Sequence, residues 1–345
     1  MQQQPLEKPA RRDTASGRHP LTFSRFLAAQ GEDRLVGFMR SRTTFDPIPE
    51  IFAARLAAKF RHYLTVGGCP EPAAARCVDR NLTAAQAAQK RIIDRWTLEA
   101  ARHADAHDIP KIRRILASLP LQLARGGAFR WSLVEPLANA RKYGRALGWL
   151  IDAGMVRKVN RLDFTGGVGL PISQHENPAA FRIFPADVGI LCALAEVRYV
   201  PSLTTFTNLT TPAAPANPSG PDALSPGMLD ALVQTALLRS LTPQFGRLWY
   251  WSLAKPRVGV AFVAEMKGVV LPIEVSTDAR ALRSFRAFNA FRAHWEAAGL
   301  DPAALPLRVR LSMRNLSLEN GLLSIPLWMA DETRRLVGLA LTKAV

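Results

Sequence analysis

The sequence predicts an α+β chain of several domains: a helical region over 21–108, three helices and a wing strand over 109–200, and a C-terminal α/β domain over 227–345. Three observations lead there. Apolar residues recur at three- and four-residue spacing through the first half, the signature of amphipathic helices. Three short β-rich runs, Leu248 to Leu253, Val258 to Glu265 and Val269 to Val275, follow one another with turn residues between them. A Thr-, Pro-, Ala- and Ser-rich stretch, 201–226, separates the two patterns and reads as a flexible connection.

Residues 1–20 are Gln-, Arg- and Pro-rich without periodicity and are expected to be a disordered tail. From Leu21 the helical pattern begins, with Phe23, Phe26 and Leu27 on one face, then Leu35, Phe38 and Met39, then Ile51 to Leu64. Gly67-Gly68 supplies a left-handed helix end, and Pro70 blocks continuation. Asn81 to His107 is a long amphipathic helix. Next, Pro110 to Leu116 opens a helix with proline at an early, tolerated position. Ser132 to Glu135 has capping-box spacing for a second helix. Ala138 to Gly154 forms a third, and Met155 to Val159 starts a wing strand, so 109–200 reads as a winged helix. Phe181 to Leu194 gives a strand and a helix capped by Asp187. Met228 to Leu241 is an apolar helix that includes Asp230. After the three β-rich runs, 279–298 is an Arg-rich helix with Leu282, Phe285, Phe288, Phe291 and Trp295 inward. Leu307 to Met313 and Gly321 to Pro326 are strands, and Leu327 to Leu339 closes the chain as a helix.

Composition bounds the function. With 48% hydrophobic and 21% charged residues the chain is ordinary for a folded soluble protein, while 45 Lys and Arg against 28 Asp and Glu give a net charge of +17. Such an excess favours a polyanionic partner such as DNA or RNA; the plainer alternative is a solvated basic surface. No apolar run approaches the roughly eighteen residues that span a bilayer, and the N-terminal stretch has no apolar centre, so a cytoplasmic protein with no membrane partner is expected. Cys69, Cys77 and Cys192 lack zinc-type spacing and read as core residues. His103 and His107, one helical turn apart, have the spacing of a metal pair but no third ligand, and the helix dipole favours cations there anyway.

In the third predicted helix Arg141, Lys142 and Arg145 cluster on the outer side, and Arg157, Lys158 and Arg161 follow on the wing, opposed by Asp152. In a helix-turn-helix the start of this helix meets the major groove while neighbouring cations meet phosphates. These six residues are therefore the candidate nucleic-acid contacts. The other reading of the segment is protein contact or spacing.

The stretch Arg247 to Asp278 resembles the core of restriction-endonuclease-like nucleases, in which carboxylates and a lysine at strand ends hold a divalent metal. More specifically, it resembles the C-terminal domain of P-loop ATPases carrying domain of unknown function 4143, with the pattern Tyr-Tyr-Trp-Arg, Glu-Val-Asp-Phe-Val and Pro-Ile-Glu-Val-Lys. Trp251, Phe262, Val263, Pro272, Ile273, Glu274 and Val275 match it. Gly259, Ala261 and Ser276 stand where the pattern has Glu, Asp and Lys, and Asp230 where it has Glu. The same group is resembled by Leu21 to Leu27, by Tyr63-Leu64-x-x-Gly67-Gly68-x-Pro70-Glu71, and by the runs Gln122 to Ala124, Ala140 to Tyr143 and Trp149 to Gly154.

What the resemblance implies is a winged helix joined to a restriction-endonuclease-like domain whose site is degenerate. Asp230, Ala261, Glu274 and Ser276 are the remnants. The phosphate-cradling glycine loop of a P-loop ATPase is absent, since the chain contains no Gly-Lys dipeptide, and the residues ahead of Leu21 leave no room for a nucleotide domain of roughly 150 residues. The expectations are no ATP, no cofactor, no bound metal and no catalysis: a protein that binds nucleic acid or a protein partner, shortened at its start or assigned too late a start codon. Two alternatives remain. One is a cryptic nuclease using Asp230, Glu265 and Glu274 with Lys267 replacing the missing lysine; the other is a regulatory partner of an intact ATPase.

Overall fold

The computed structural model describes residues 19–79, 82–165, 167, 169–200, 224–254, 258–277 and 285–343. The tail over 1–18, the connection over 201–223, the Lys255-Pro256 turn and the first residues of the Arg-rich helix lie outside the described residues.

The helical region follows its apolar spacing. Helices α1 (Phe23–Ala29) and α2 (Asp33–Arg40) pack on α3 (Glu50–Val66), with the Phe23 and Phe60 rings meeting edge to face at 5.2 Å between centroids. At the end of α3, Gly67 adopts φ 80°, a conformation that side chains disfavour. The turn is held from three directions: Leu21 donates its N–H to the Gly68 carbonyl at 2.6 Å, Tyr63 donates its hydroxyl to the Leu21 carbonyl at 2.7 Å, and the buried Asp187 accepts the Gly68 N–H at 2.7 Å. The same carboxylate accepts the Gly189 N–H at 2.9 Å and so caps α8 (Val188–Leu194), as its position in the sequence predicts. Motif residues distant in sequence thus form one buried knot. Helices α4 (Pro70–Asp79) and α5 (Leu82–His103) follow.

In 109–200 one predicted element is different. Helices α6 (Ile109–Arg125) and α7 (Ala140–Asp152) form, but Ser132 opens no second α-helix; Trp131–Leu133 is a single 3-10 turn. Pro136 prevents propagation, and Glu135, instead of turning back on the Ser132 amide, accepts from Arg114 and Lys142. Asn139 caps α7 by accepting the Lys142 N–H at 3.0 Å. Its far end is a Schellman closure: Gly154, at φ 70°, donates to Ile151, and Met155 to Leu150. Strands β1 (Val156–Leu162) and β2 (Glu176–Pro185) then form an antiparallel hairpin.

Helix α9 (Pro226–Phe245) buries every residue from Ala231 to Leu241 but Gln234, which suits a helix that is apolar around its circumference. Gly227 brings its first turn against α6: a Cβ there would lie 2.1 Å from the Ala124 carbonyl oxygen. The meander is β3 (Trp249–Leu253), β4 (Val258–Met266) and β5 (Val269–Ser276). Lys267 and Gly268, both at positive φ (52° and 80°), make the two-residue turn between β4 and β5, whose twist suits a hairpin. After α10 (Arg286–Ala297) come β6 (Arg308–Ser312), β7 (Ser317–Glu319), β8 (Leu322–Pro326) and α11 (Thr333–Lys343). The unforeseen β7 is joined to β8 by a second such turn, Asn320-Gly321.

All eight strands among the described residues form one mixed sheet in the order β2-β1-β3-β4-β5-β6-β8-β7. The β1–β2 hairpin joins the meander through parallel pairing of Asn160 with Trp249. Glu176 fastens this seam by accepting from Asn160 on β1 and, at 2.8 Å, from Trp249 Nε1 on β3. The sheet therefore runs across the boundary that the composition of 201–226 suggests. Helix α10 covers one face over a cluster that includes Trp251, Phe288, Phe291 and Trp295; α9 and α11 lie in the larger core on the other. The class is mixed α and β. No described helix is long and apolar enough to cross a membrane.

Candidate functional site

The sheet opens between Ala261 on β4 and Glu274 on β5. Strands β4 and β5 pair from Met266↔Val269 to Phe262↔Ile273. Beyond that point Val258 to Val260 pair with β3, and Glu274 to Ser276 pair with β6. A bulge contributes to the opening, since Trp249↔Val263 and Trp251↔Val260 leave one extra residue on β4 around Ala261. Into this fork runs a cleft of about 750 Å³. Its walls are the Arg125 to Arg130 segment after α6, Arg161 and Arg182 from the β1–β2 hairpin, the first turns of α9 with Asp230, and Ala261 and Glu274 from the fork itself.

Of Asp230, Ala261, Glu274 and Ser276, two line the cleft with carboxylates, and both carboxylates are engaged. Strand alternation sends Ile273 into the larger core and Glu274 to the α10 side, as the sequence indicates. There Arg310, fully buried, donates to Glu274 at 2.7 Å, and the guanidinium lies over the Phe288 ring at 5.7 Å. Burial raises the Glu274 carboxyl above the usual range, with Arg310 pulling the other way. Asp230 accepts from the Thr277 hydroxyl. Ala261 offers no ligand, and Ser276 is buried opposite Ser312. The residues of the cryptic-nuclease reading are separated: exposed Glu265 pairs with Val270, four residues and about 13 Å along the strand from Glu274. Among the described residues no three His, Cys, Asp or Glu side chains are grouped to hold a metal ion. His103 lies 3.5 Å from Glu99 instead.

The six candidate contacts do not form one open basic patch. Lys142 pairs with Glu135, and Arg145 bridges Asp108 at 2.5 Å and Asp105 at 3.2 Å. Arg157 is partly buried, and burial followed by repulsion from Arg239 lowers its pKa. Lys158 lies over the Phe181 ring at 4.4 Å. Arg141 is exposed. Arg161 turns into the cleft and is held by Asp163 through bonds of 2.5 and 3.0 Å. Burial would raise the Asp163 carboxyl, but hydrogen bonds from Arg161 and Asn177 outweigh it and hold it low. A depressed carboxyl adds stability above its unfolded pKa, about 3.8, and loses it as pH falls through the folded value. Asp163→Asn is therefore expected to flatten the acid limb of stability against pH below about 4, checked by urea midpoints across that range.

Sequence reasoning missed Arg125, Arg130 and Arg182. Arg182 lies over the Tyr250 ring at 4.2 Å and donates to the Gly127 carbonyl at 3.2 Å and to Gln234 at 3.3 Å, bridging the hairpin, the loop after α6, and α9. The available signals were Gly126-Gly127, at φ 63° and 82°, and the outward register of Arg182 on β2. Neither points to a cleft before the elements are assembled.

Residues 57–200 match the family model Domain of unknown function (DUF8612), a similarity that covers less than half of the chain. It includes Tyr63, Gly67, Gly68 and Asp187 of the knot, the β1–β2 hairpin and the arginines of the cleft, and ends before Asp230 and Glu274. No curated protein and no solved structure matches the chain.

Proposed function

We propose that the chain is a non-catalytic nucleic-acid-binding protein that lays a phosphodiester backbone into the cleft at the sheet fork. The observation behind this reading is the convergence there of Arg125, Arg130 and Arg182, beside Arg161, which Asp163 holds, while the Glu274 carboxylate is already matched by Arg310. Guanidinium forks suit phosphate oxygens, and the net charge of +17 favours approach of a polyanion. Loss of nuclease chemistry is supported by the same contacts: the fork has Ala261 and Ser276 where a metal site needs a carboxylate and a cation. The helix α7 patch is secondary, because Lys142 and Arg145 already have acidic partners.

Fluorescence anisotropy with labelled DNA and RNA, followed across salt, tests the reading. Arg125→Glu with Arg130→Glu is expected to weaken binding at low salt by about tenfold or more and to reduce the salt slope by about one unit for each phosphate that is no longer neutralised. Arg145→Ala should change the slope less than Arg141→Ala. Wild-type protein that fails to bind at low salt, or a double reversal that binds as well as wild type, would sink the proposal. Metal-dependent nicking of plasmid that Glu274→Ala abolishes would replace it with the nuclease reading.

A further inference from the structure

On the α10 face of the sheet, apart from the cleft, we propose a second site that takes a tetrahedral oxyanion, either free phosphate or the terminal phosphate of a nucleic-acid strand. Its frame is a cavity of about 220 Å³ between α10 and the start of β6, lined by Asn289, Arg292, Arg308 and the Asn320-Gly321 turn. That is smaller than the roughly 300–1,000 Å³ of pockets that enclose drug-sized ligands, and it suits a compact anion.

The charge balance gives the ligand's sign. Alternation along β6 puts Arg308 and Arg310 on one face, where the Phe285 ring lies 5.1 Å from the Arg308 guanidinium and 5.3 Å from that of Arg310. Arg310 is matched by Glu274, and Arg292 by Glu296 on its own helix at 2.7 Å. Arg308 makes no ion pair among the described residues; it donates to the Asn320 carbonyl and lies over Phe285. Among the described residues, then, three guanidiniums stand near two paired carboxylates, and the one at the cavity wall without an ion pair is Arg308. Burial, then repulsion from Arg292 and Arg310, lowers the Arg308 pKa, a cost that an anion bound there would offset. Asn289, exposed on α10, adds an amide donor at the rim.

The test measures inorganic phosphate binding to the full chain by calorimetry and thermal shift against chloride at constant ionic strength. Wild-type protein is expected to be stabilised by phosphate and not by chloride. Arg308→Gln should weaken phosphate binding by about tenfold or more, the scale of one charge-assisted hydrogen bond, and Arg292→Gln by less. Arg125→Glu with Arg130→Glu should leave phosphate binding here intact, which separates failure of this site from failure of the cleft. Comparing 5′-phosphorylated with unphosphorylated oligonucleotide distinguishes the sources: a preference abolished by Arg308→Gln assigns the site to strand ends, and none assigns it to free phosphate. If Arg308→Gln does not fold, the exposed Arg292→Gln decides alone. No phosphate-specific stabilisation of wild type, or stabilisation undiminished in the variants that fold, overturns the proposal.

Discussion

Replacing Gly67 by alanine is expected to destabilise the chain by at least about 3 kcal/mol. Gly67 adopts φ 80° and ψ −178°, a region essentially restricted to glycine, and such strain costs about 1–3 kcal/mol. The added methyl also has nowhere to go, since its Cβ would sit 2.0 Å from Asp187 Oδ1 and 2.7 Å from the Gly189 nitrogen. Moving Asp187 away releases the buried N–H groups of Gly68 and Gly189, each costing roughly 1–3 kcal/mol when left unsatisfied. Against a total stability of typically about 5–15 kcal/mol this is a large fraction. Urea denaturation followed by tryptophan fluorescence measures it. A loss below about 1 kcal/mol would show that the knot yields easily and is not a structural anchor.

Glu274→Ala is expected to cost about 3 kcal/mol, because it removes the carboxylate to which Arg310, with no exposed surface, donates at 2.7 Å. Replacing both partners, Glu274→Met with Arg310→Met, should be nearly neutral, since desolvation of two charges offsets much of their attraction. The elevated Glu274 pKa, caused first by burial, supports that balance. Equal costs for the single and double changes would mean that the pair contributes through packing and not through charge. A metal-binding role for Glu274 predicts instead that added Mg²⁺ stabilises wild type and Arg310→Met protein alike.

Much of this was legible in the sequence because the signals are local. Apolar spacing, Gly67-Gly68, Asp187 as a cap and the β-rich runs mark elements through backbone preferences that act over a few residues. Where local signals compete the reading weakened: Ser132-x-x-Glu135 has capping spacing, but Pro136 and the pull of Arg114 and Lys142 on Glu135 leave only a 3-10 turn. The six cations of 141–161 show the other gap. Their clustering was visible, whereas neutralisation by Glu135, Asp105 and Asp108 needed α6 and α7 packed side by side.

By itself, then, the sequence determined most of the kinds of element, their approximate ends, the direction of the Glu274 side chain and that Ala261 and Ser276 carry neither a carboxylate nor a charge, all properties of residue type and period along one strand or helix. Tertiary structure alone decided that the β1–β2 hairpin joins the meander in one sheet, that Arg182, Arg161 and Asp230 line one cleft, and that Arg310 is a partner of Glu274. Those outcomes depend on which strands lie side by side, and pairing between residues as distant as Asn160 and Trp249 is set by the packing of the assembled core, which leaves no trace in the spacing of either segment.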